Sequence, residues 1–257
     1  MTTLSEGRII RRIQWNQDIC SLKLGVSSCQ WQPGQRLAIG LPDTPVHRLQ
    51  HFFLTNLPEA TYPEICVQRL PDNPLSNQLF HLQPGDSFCC HTLGAGGFTL
   101  DQVPAADYLW LLAMDAGIAP FLSILRAPDA WAVFEKIILV QQQSIVPEVM
   151  LYEDVLRQLQ QHHPEQLVFH YLPTAPGNHQ ESLQGALSEV IASGELEESL
   201  GINLDPATGR IMLCAPGENL AGVLRALAIH HNYPVTAGRG NVLCCAYDDN
   251  LQRDTAG

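Results

Sequence analysis

Arg48 and Ser76 are the residues of the first hundred whose chemistry best suits an anionic ligand. Arginine presents a rigid fork of hydrogen-bond donors, and Ser76 precedes Leu79 and Leu82 at the spacing expected of a helix capped by the serine. A guanidinium beside a helix N-terminus favours a pyrophosphate. A surface arginine and an ordinary helix cap explain the same residues without any ligand, so these two residues alone leave both interpretations open.

A second candidate site is the small-residue turn 114–120, which reads Met-Asp-Ala-Gly-Ile-Ala-Pro and follows an apolar run. Where such a turn leads into a helix, a phosphate-bearing ligand can approach the backbone N–H groups and the positive helix end. The carboxylate of Asp115 opposes a phosphate and favours a plain strand–helix turn instead. Both interpretations stay open on composition alone.

Cysteines and histidines do not form a recognisable metal site. The eight cysteines show no CxxC spacing, and most lie in apolar runs where a thiol packs as a small hydrophobic group. The histidines show no HExxH motif, and their one HxxxH spacing, His47 to His51, runs into a predicted strand and not a helix. We therefore expect no metal. The adjacent pairs Cys89-Cys90 and Cys244-Cys245 remain weak candidates for redox or metal chemistry.

Two different patterns of predicted secondary structure position these residues. The first hundred residues contain six short strand-like runs separated by Pro- and Gly-rich turns, which predicts an antiparallel β-barrel. After Pro104, apolar strands alternate with helical segments, which predicts a parallel sheet covered on both faces. We expect a β-barrel domain over residues 1–103 and an α/β domain over residues 104–257, with a polar C-terminal extension after Asp248.

Charge separates the two halves and excludes some partners. The net charge is −12, with 7 Lys/Arg and 8 Asp/Glu in residues 1–103 but 7 and 18 in residues 104–257. Such acidity argues against nucleic acid as a partner. The sequence has no apolar run long enough for a membrane helix, and residues 1–12 have no secretory h-region. We expect a cytoplasmic protein that does not interact with membranes.

Several segments, taken in order, are similar to motifs of the bacterial ferredoxin/flavodoxin–NADP⁺ reductase family. They span about residues 8–240. Each segment alone is weak evidence for the resemblance, but the whole set in this order is specific to the family. The matching stretches are 31–35 (WQPGQ), 75–79 (LSNQL), 82–86 (LQPGD), 97–104 (GFTLDQVP), 109–113 (LWLLA), 117–125 (GIAPFLSIL), 193–197 (SGELE) and 211–214 (IMLC).

This resemblance implies a ferredoxin reductase-like fold that binds FAD in the barrel and NADP(H) on the parallel sheet. It assigns Arg48 and Ser76 to the FAD pyrophosphate, with Leu75 beside them, and Cys214 to the nicotinamide side of hydride transfer. It also implies that Gln50, His51 and Phe52 bind the cofactor, that His51 and Cys214 are the candidate catalytic residues, and that Ala116 and Gly117 belong to the nucleotide-binding turn. In such proteins the cofactors carry the reaction, and the protein orients and tunes them.

Departures from the family pattern fall at both cofactor sites. The flavin motif R-x-Y-[ST] reads Arg48-Leu49-Gln50-His51, so Gln50 replaces the tyrosine that packs on the isoalloxazine and His51 replaces a hydroxyl near its reactive edge. The loss of the aromatic ring weakens expected flavin binding. The motif G-T-G-I-A-P reads 115–120, with Asp115 and Ala116 replacing its glycine and threonine.

The basic residues that hold the 2′-phosphate in the family fall near Ser144, Thr174 and Ala186, none of which is basic. We therefore expect weak binding of NADPH. Three functions stay open: an FAD-dependent reductase that passes electrons between a nicotinamide cofactor and a ferredoxin or flavodoxin; a flavoprotein that uses NADH or another donor; and a non-catalytic descendant that acts through protein contacts. The acidic surface disfavours docking of an acidic ferredoxin unless a local basic patch steers it. The candidates for that patch are Arg8, Arg11, Arg12 and Arg36, and the sequence does not show whether they converge.

Overall fold

A computed structural model describes residues 4–144, 150–174, 183–234 and 240–248. Within these ranges the chain divides into two compact units. The first consists of residues 4–100, 119–127 and 248, and the second of residues 101–118, 128–144, 150–174, 183–234 and 240–247. The division into domains at residue 103 stays a prediction.

The first unit is built on a six-stranded antiparallel sheet in the order β4-β3-β6-β1-β2-β5. An isolated antiparallel bridge joins Leu54, which follows β4, to Ile65 in β5, so the two ends of the sheet meet and close a barrel. The strands are β1 (Leu4–Gln14), β2 (Ile19–Gly25), β3 (Arg36–Gly40), β4 (Gln50–Phe53), β5 (Glu64–Gln68) and β6 (Ser87–His91).

The core of this unit comes from the apolar residues that alternate along the strands, including Leu22, Leu24, Leu37 and Phe88. The turn before β3 needs glycine because Gly34 has φ +92° and an added Cβ would meet the carbonyl oxygen of Phe98 at 2.1 Å.

Helix α1 spans Pro74–His81 and packs beside β5. The expectation that Ser76 caps this helix is wrong, because the N-cap is Asn73, whose side chain accepts a hydrogen bond from the Ser76 N–H at 3.0 Å. Asparagine followed by proline is a strong helix start, since proline at the first helical position has no N–H to satisfy.

The second unit is built on a five-stranded parallel sheet in the order β11-β10-β7-β8-β9, covered on its faces by helices. The apolar runs of the three inner strands are buried on both faces, as in other parallel sheets, whereas those of the two edge strands are only partly buried. The strands are β7 (Tyr108–Met114), β8 (Lys136–Gln143), β9 (Leu167–Pro173), β10 (Gly209–Ala215) and β11 (Val242–Ala246). The helices after α1 are α2 (Ala119–Arg126), α3 (Pro128–Val133), α4 (Glu153–His162), α5 (Leu187–Ser193), α6 (Glu195–Leu200) and α7 (Gly217–His231).

Helix α2 belongs to the first unit although it follows the first strand of the second. The hydroxyl of Ser123 accepts a hydrogen bond from the Gly34 N–H at 2.9 Å, and the ring of Phe121 contacts that of Phe98 with centroids 5.8 Å apart. A barrel followed by a parallel α/β unit confirms the predicted fold class.

The cysteines in the described ranges are all free thiols. Cys20 and Cys90 pack in the core of the first unit, whereas Cys244 is exposed on β11. Among the described residues, no group of three or more His, Cys, Asp or Glu side chains is arranged to hold a metal ion. None of the helices in the described ranges combines the length and the hydropathy that a membrane-spanning helix requires.

Candidate functional site

The first unit contains a cavity of about 510 Å³ beside the N-terminus of α1. Three predicted site residues meet there: Arg48 ends a short 3₁₀ helix (Val46–Arg48), Gln50 begins β4, and Leu75 lies in the first turn of α1. The full lining consists of Leu41, Asp43, Thr44, Pro45, Arg48, Leu49, Gln50, Pro74, Leu75 and Gln78.

The cavity offers positive groups to an anion. The Arg48 side chain is exposed and makes no ion pair with any residue that the structure describes. Leu75 is the second residue of α1, where backbone N–H groups have no acceptor within the helix and the helix dipole is positive. Asp43 opposes an anion, but it is exposed and its charge is screened by water and salt. The arrangement fits a pyrophosphate.

Gln50 lines the cavity, but its side chain is hydrogen-bonded to the start of α1 and does not present a flat ring to a flavin. Its Nε2 donates to Oδ1 of Asn73 at 2.8 Å, the same oxygen that accepts the Ser76 N–H. The Ser76 hydroxyl donates to the Asn73 carbonyl at 3.0 Å and accepts from the Leu70 N–H at 3.2 Å, and Ser76 is 1% exposed. The side chains of Gln50 and Ser76 therefore hold the start of α1 in place, so the predicted cofactor contact of Ser76 would be made through its position in the helix.

Replacing Asn73 by alanine is expected to lower the free energy of unfolding of the first unit by about 1–2 kcal/mol, since the helix loses its cap. Both the Ser76 N–H and the Gln50 amide lose their acceptor in this variant. Urea denaturation followed by circular dichroism measures the loss. Asn73→Asp retains a capping oxygen and serves as the control. An Asn73→Ala variant as stable as the control would contradict the bracing role.

His51 and Phe52 lie on opposite faces of β4. Phe52 is opposite Leu37 and packs against the barrel core, while His51 is opposite Ala38 on the other face. Burial, together with the smaller effects of the positive charges of Arg36 and His91, lowers the pKa of His51 to about 4. His51 is therefore a neutral imidazole at pH 7, able to donate from one ring nitrogen and accept at the other.

This low pKa predicts a pH-dependent stability. In the unfolded chain His51 takes up a proton near pH 6.5, whereas the folded state takes it up near pH 4. The unfolded state thus binds more protons between these values, so the stability contributed by neutral His51 is lost as the pH falls from about 6.5 to about 4. NMR titration should show the His51 ring resonances changing near pH 4. In His51→Gln the loss of stability across this interval should be smaller, and a His51 pKa at or above 6.5 would refute the assignment.

In the second unit the predicted nucleotide-binding turn packs directly on β10. Residues Asp115–Ile118 form a buried 3₁₀ turn after β7, and a Cβ added at Gly117 would meet the Cys214 carbonyl oxygen at 2.1 Å. Cys214 is fully buried near the end of β10. The structure therefore brings Ala116, Gly117 and Cys214 together at the carboxyl ends of the strands, where ligands bind in open parallel sheets.

Sequence reasoning missed two connections. One is Asn73, which the following Pro74 marks as a helix start. The other is Asp115, whose carboxylate accepts hydrogen bonds from the Ser144 N–H at 2.8 Å and the Ser144 hydroxyl at 2.7 Å. No local pattern indicates this second contact, because the two residues lie on separate strand ends 29 positions apart.

The comparisons with known proteins agree with this architecture. No protein-family model matches the chain. The chain is 28% identical over 211 residues to the flavodoxin/ferredoxin–NADP reductase of Escherichia coli (strain K12), which covers 81% of this chain and 83% of the relative. It is also 28% identical over 224 residues to the ferredoxin–NADP reductase of Pseudomonas aeruginosa, with coverage of 83% and 85%.

Among solved structures, the chain superposes on a ferredoxin NADP⁺ reductase from Neisseria gonorrhoeae with a TM-score of 0.84 and 21% identity, covering 95% of this chain and 98% of the other. The chain resembles the bacterial ferredoxin/flavodoxin–NADP⁺ reductases. The gonococcal structure has bound FAD and NADP. The predicted resemblance and the ferredoxin reductase-like fold are confirmed, and the assignments of individual site residues stay predictions.

Proposed function

We propose that the chain is an FAD-dependent oxidoreductase of the ferredoxin/flavodoxin–NAD(P)⁺ reductase type. It transfers electrons between a nicotinamide cofactor and a small redox protein. The observation that carries this proposal is the cavity beside α1, in which Arg48 and the first turn of the helix face the same space within a ferredoxin reductase-like fold.

The residues of the chain have distinct roles in this function. Arg48 pairs with the FAD pyrophosphate, and the N-terminus of α1, held by Asn73 and Gln50, adds backbone donors at Leu75. His51, neutral at pH 7, hydrogen-bonds the isoalloxazine without adding charge. When bound, the flavin accepts a hydride from the nicotinamide and releases its electrons singly. Cys214 lies on the nicotinamide side, with Gly117 against its carbonyl.

The partner on the electron-accepting side is a ferredoxin or flavodoxin. Basic residues on the first unit support an acidic partner. Arg11 of β1 lies opposite Lys23 of β2 in the strand register, and Arg8 is exposed on β1. Arg36, the fourth basic residue considered for this surface, does not join it, because Arg36 is 2% exposed and its guanidinium lies over the ring of Phe53 at 4.2 Å. Arg12 is half-buried, lies opposite the core residue Leu22 and donates to the Phe80 carbonyl, so the proposed docking surface is Arg8, Arg11 and Lys23.

The visible absorbance spectrum of the purified protein tests the proposal. A flavin absorbance that remains with the protein through gel filtration, and that is released on denaturation as FAD, is the expected result. Protein purified without flavin is expected to take up added FAD, measured by quenching of flavin fluorescence. A colourless protein that binds no added FAD would overturn the proposal in favour of a non-catalytic descendant of the fold.

A further inference from the structure

A buried aspartate carboxylate, that of Asp115, lies at the carboxyl end of the parallel sheet. Asp115 follows β7 in a left-handed conformation (φ +48°) and is 8% exposed. Its two carboxylate oxygens accept the N–H and the hydroxyl of Ser144, which follows β8. The hydroxyl of Thr174, which follows β9, donates to the Gln143 carbonyl at 3.0 Å. The hydrogen-bond donors of Ser144 and Thr174 at these strand ends therefore bind acceptors within the protein.

Several neutral polar groups at the same end have no hydrogen-bond partner among the residues that the structure describes. Both amide atoms of Gln141 and of Gln143 are buried without a partner, as is the Tyr171 hydroxyl, and the two glutamines are 0% and 1% exposed. Gln141 is paired in register with Tyr171 on one side and with Ala113 on the other, and Ala113 is paired with Cys214. Buried polar groups normally find partners, so this row is available to hydrogen-bond a ligand that carries neutral donors and acceptors.

Positive charge is absent from this edge in the described part of the chain. The residues that follow β7, β8, β9 and β10 include Asp115 and Glu218 but no lysine or arginine. Lys136 and Arg210 lie instead at the opposite ends of β8 and β10. Among the described residues, a nucleotide phosphate placed at these strand ends would meet a fixed carboxylate and no cation. The residues present do not fit the 2′-phosphate of NADP(H).

We propose that Asp115 determines which dinucleotide this crevice accepts, excluding NADP(H) and admitting NAD(H). This inference rests on the proposed function, because it names the nicotinamide cofactor of that reaction. The 2′-phosphate carries about two negative charges and is repelled by the carboxylate. The ribose 2′-hydroxyl of NAD(H) is neutral and lacks that repulsion, and the glutamine amides and the Tyr171 hydroxyl offer neutral hydrogen bonds.

Isothermal titration of the full chain with NAD⁺ and NADP⁺ tests the proposal, since neither oxidised dinucleotide reduces a flavin. The wild-type protein is expected to bind NADP⁺ at least about tenfold more weakly than NAD⁺. Asp115→Asn removes the charge, keeps an oxygen for Ser144 and tolerates the left-handed backbone. We expect this variant to bring the two dissociation constants to within about threefold of each other.

Asp107→Asn is the matched control because Asp107 is exposed and precedes β7, at the opposite end of the strand from Asp115. It removes the same charge and should leave the ratio of dissociation constants within about twofold of wild type. The proposal is overturned by wild-type protein that binds NADP⁺ as tightly as NAD⁺, or that binds neither. A folded Asp115→Asn variant with an unchanged ratio also overturns it.

The flavin content of the same preparations separates this inference from the proposed function. Protein that shows the expected NAD⁺ preference but takes up no FAD would contradict the flavin function and retain the role of Asp115. Protein that is loaded with FAD and binds NADP⁺ preferentially would contradict the role of Asp115 and retain the flavin function.

Discussion

Replacing Arg48 by alanine is expected to weaken FAD binding by roughly 10- to 100-fold, the loss typical of a hydrogen bond to a charged group. Arg48 lines the cavity at the start of α1 and makes no ion pair with another described residue, so its removal deprives the pyrophosphate of a positive charge without leaving a protein carboxylate unpaired. Because the side chain is exposed, the stability of the apoprotein should hardly change.

The matched control is Arg11→Ala, which removes an exposed arginine from β1 of the same unit but not from the cavity. Fluorescence titration with FAD at two salt concentrations measures both variants. We expect Arg11→Ala to bind FAD within about twofold of wild type. Equal losses in the two variants would show that Arg48 acts only through the general charge of the unit, and no loss in Arg48→Ala would refute its contact with the cofactor.

Replacing Gly117 by alanine is expected to destabilise the second unit by about 3 kcal/mol, at the upper end of overpacking effects. The new Cβ would lie 2.1 Å from the Cys214 carbonyl oxygen and 2.8 Å from its carbonyl carbon, so the turn after β7 has to move away from β10. Backbone atoms in a central strand cannot rotate aside as a side chain can. Binding of NAD⁺ should weaken together with stability, because the turn and Cys214 form the same strand-end site.

Gly222→Ala provides a control of opposite sign in the same unit. Gly222 lies inside α7, and its added Cβ would have the Ser188 side chain as its nearest neighbour, at 3.6 Å, an ordinary contact. Alanine is a better helix former than glycine, so this variant should gain up to about 1 kcal/mol of stability. Urea denaturation of both variants gives the comparison. Gly117→Ala with wild-type stability would mean that the turn does not pack on β10 as described.

The elements that could be predicted from the sequence are those with a local signal. Period-two apolar residues between Pro- and Gly-containing turns located the six barrel strands, and continuous apolar runs located the five parallel strands. The short helix α3 was missed because Pro128–Val133 forms less than two turns and has one buried residue, Ala130. The cap of α1 was misplaced by three residues because Ser76 and Asn73 are both good capping residues.

The candidate site was predictable only in part, for a physical reason. Arg48, Leu75 and Cys214 are predicted from motifs that stand close together in the sequence, and their roles stay predictions. The contacts of Gln50 with Asn73 and of Asp115 with Ser144 join residues on different elements, 23 and 29 positions apart. Their partners follow from strand register and backbone direction, which local composition does not encode. Residues 175–182 and 249–257, including the C-terminal extension, lie outside the described residues.

Anaerobic rapid mixing of the FAD-loaded protein with NADH, and separately with NADPH, tests the account most directly. We predict that NADH bleaches the visible flavin absorbance faster than NADPH, and that oxidised ferredoxin or flavodoxin added afterwards restores it. Asp115→Asn should raise the rate with NADPH relative to the rate with NADH. An FAD-loaded protein whose flavin is reduced by neither dinucleotide would contradict the account.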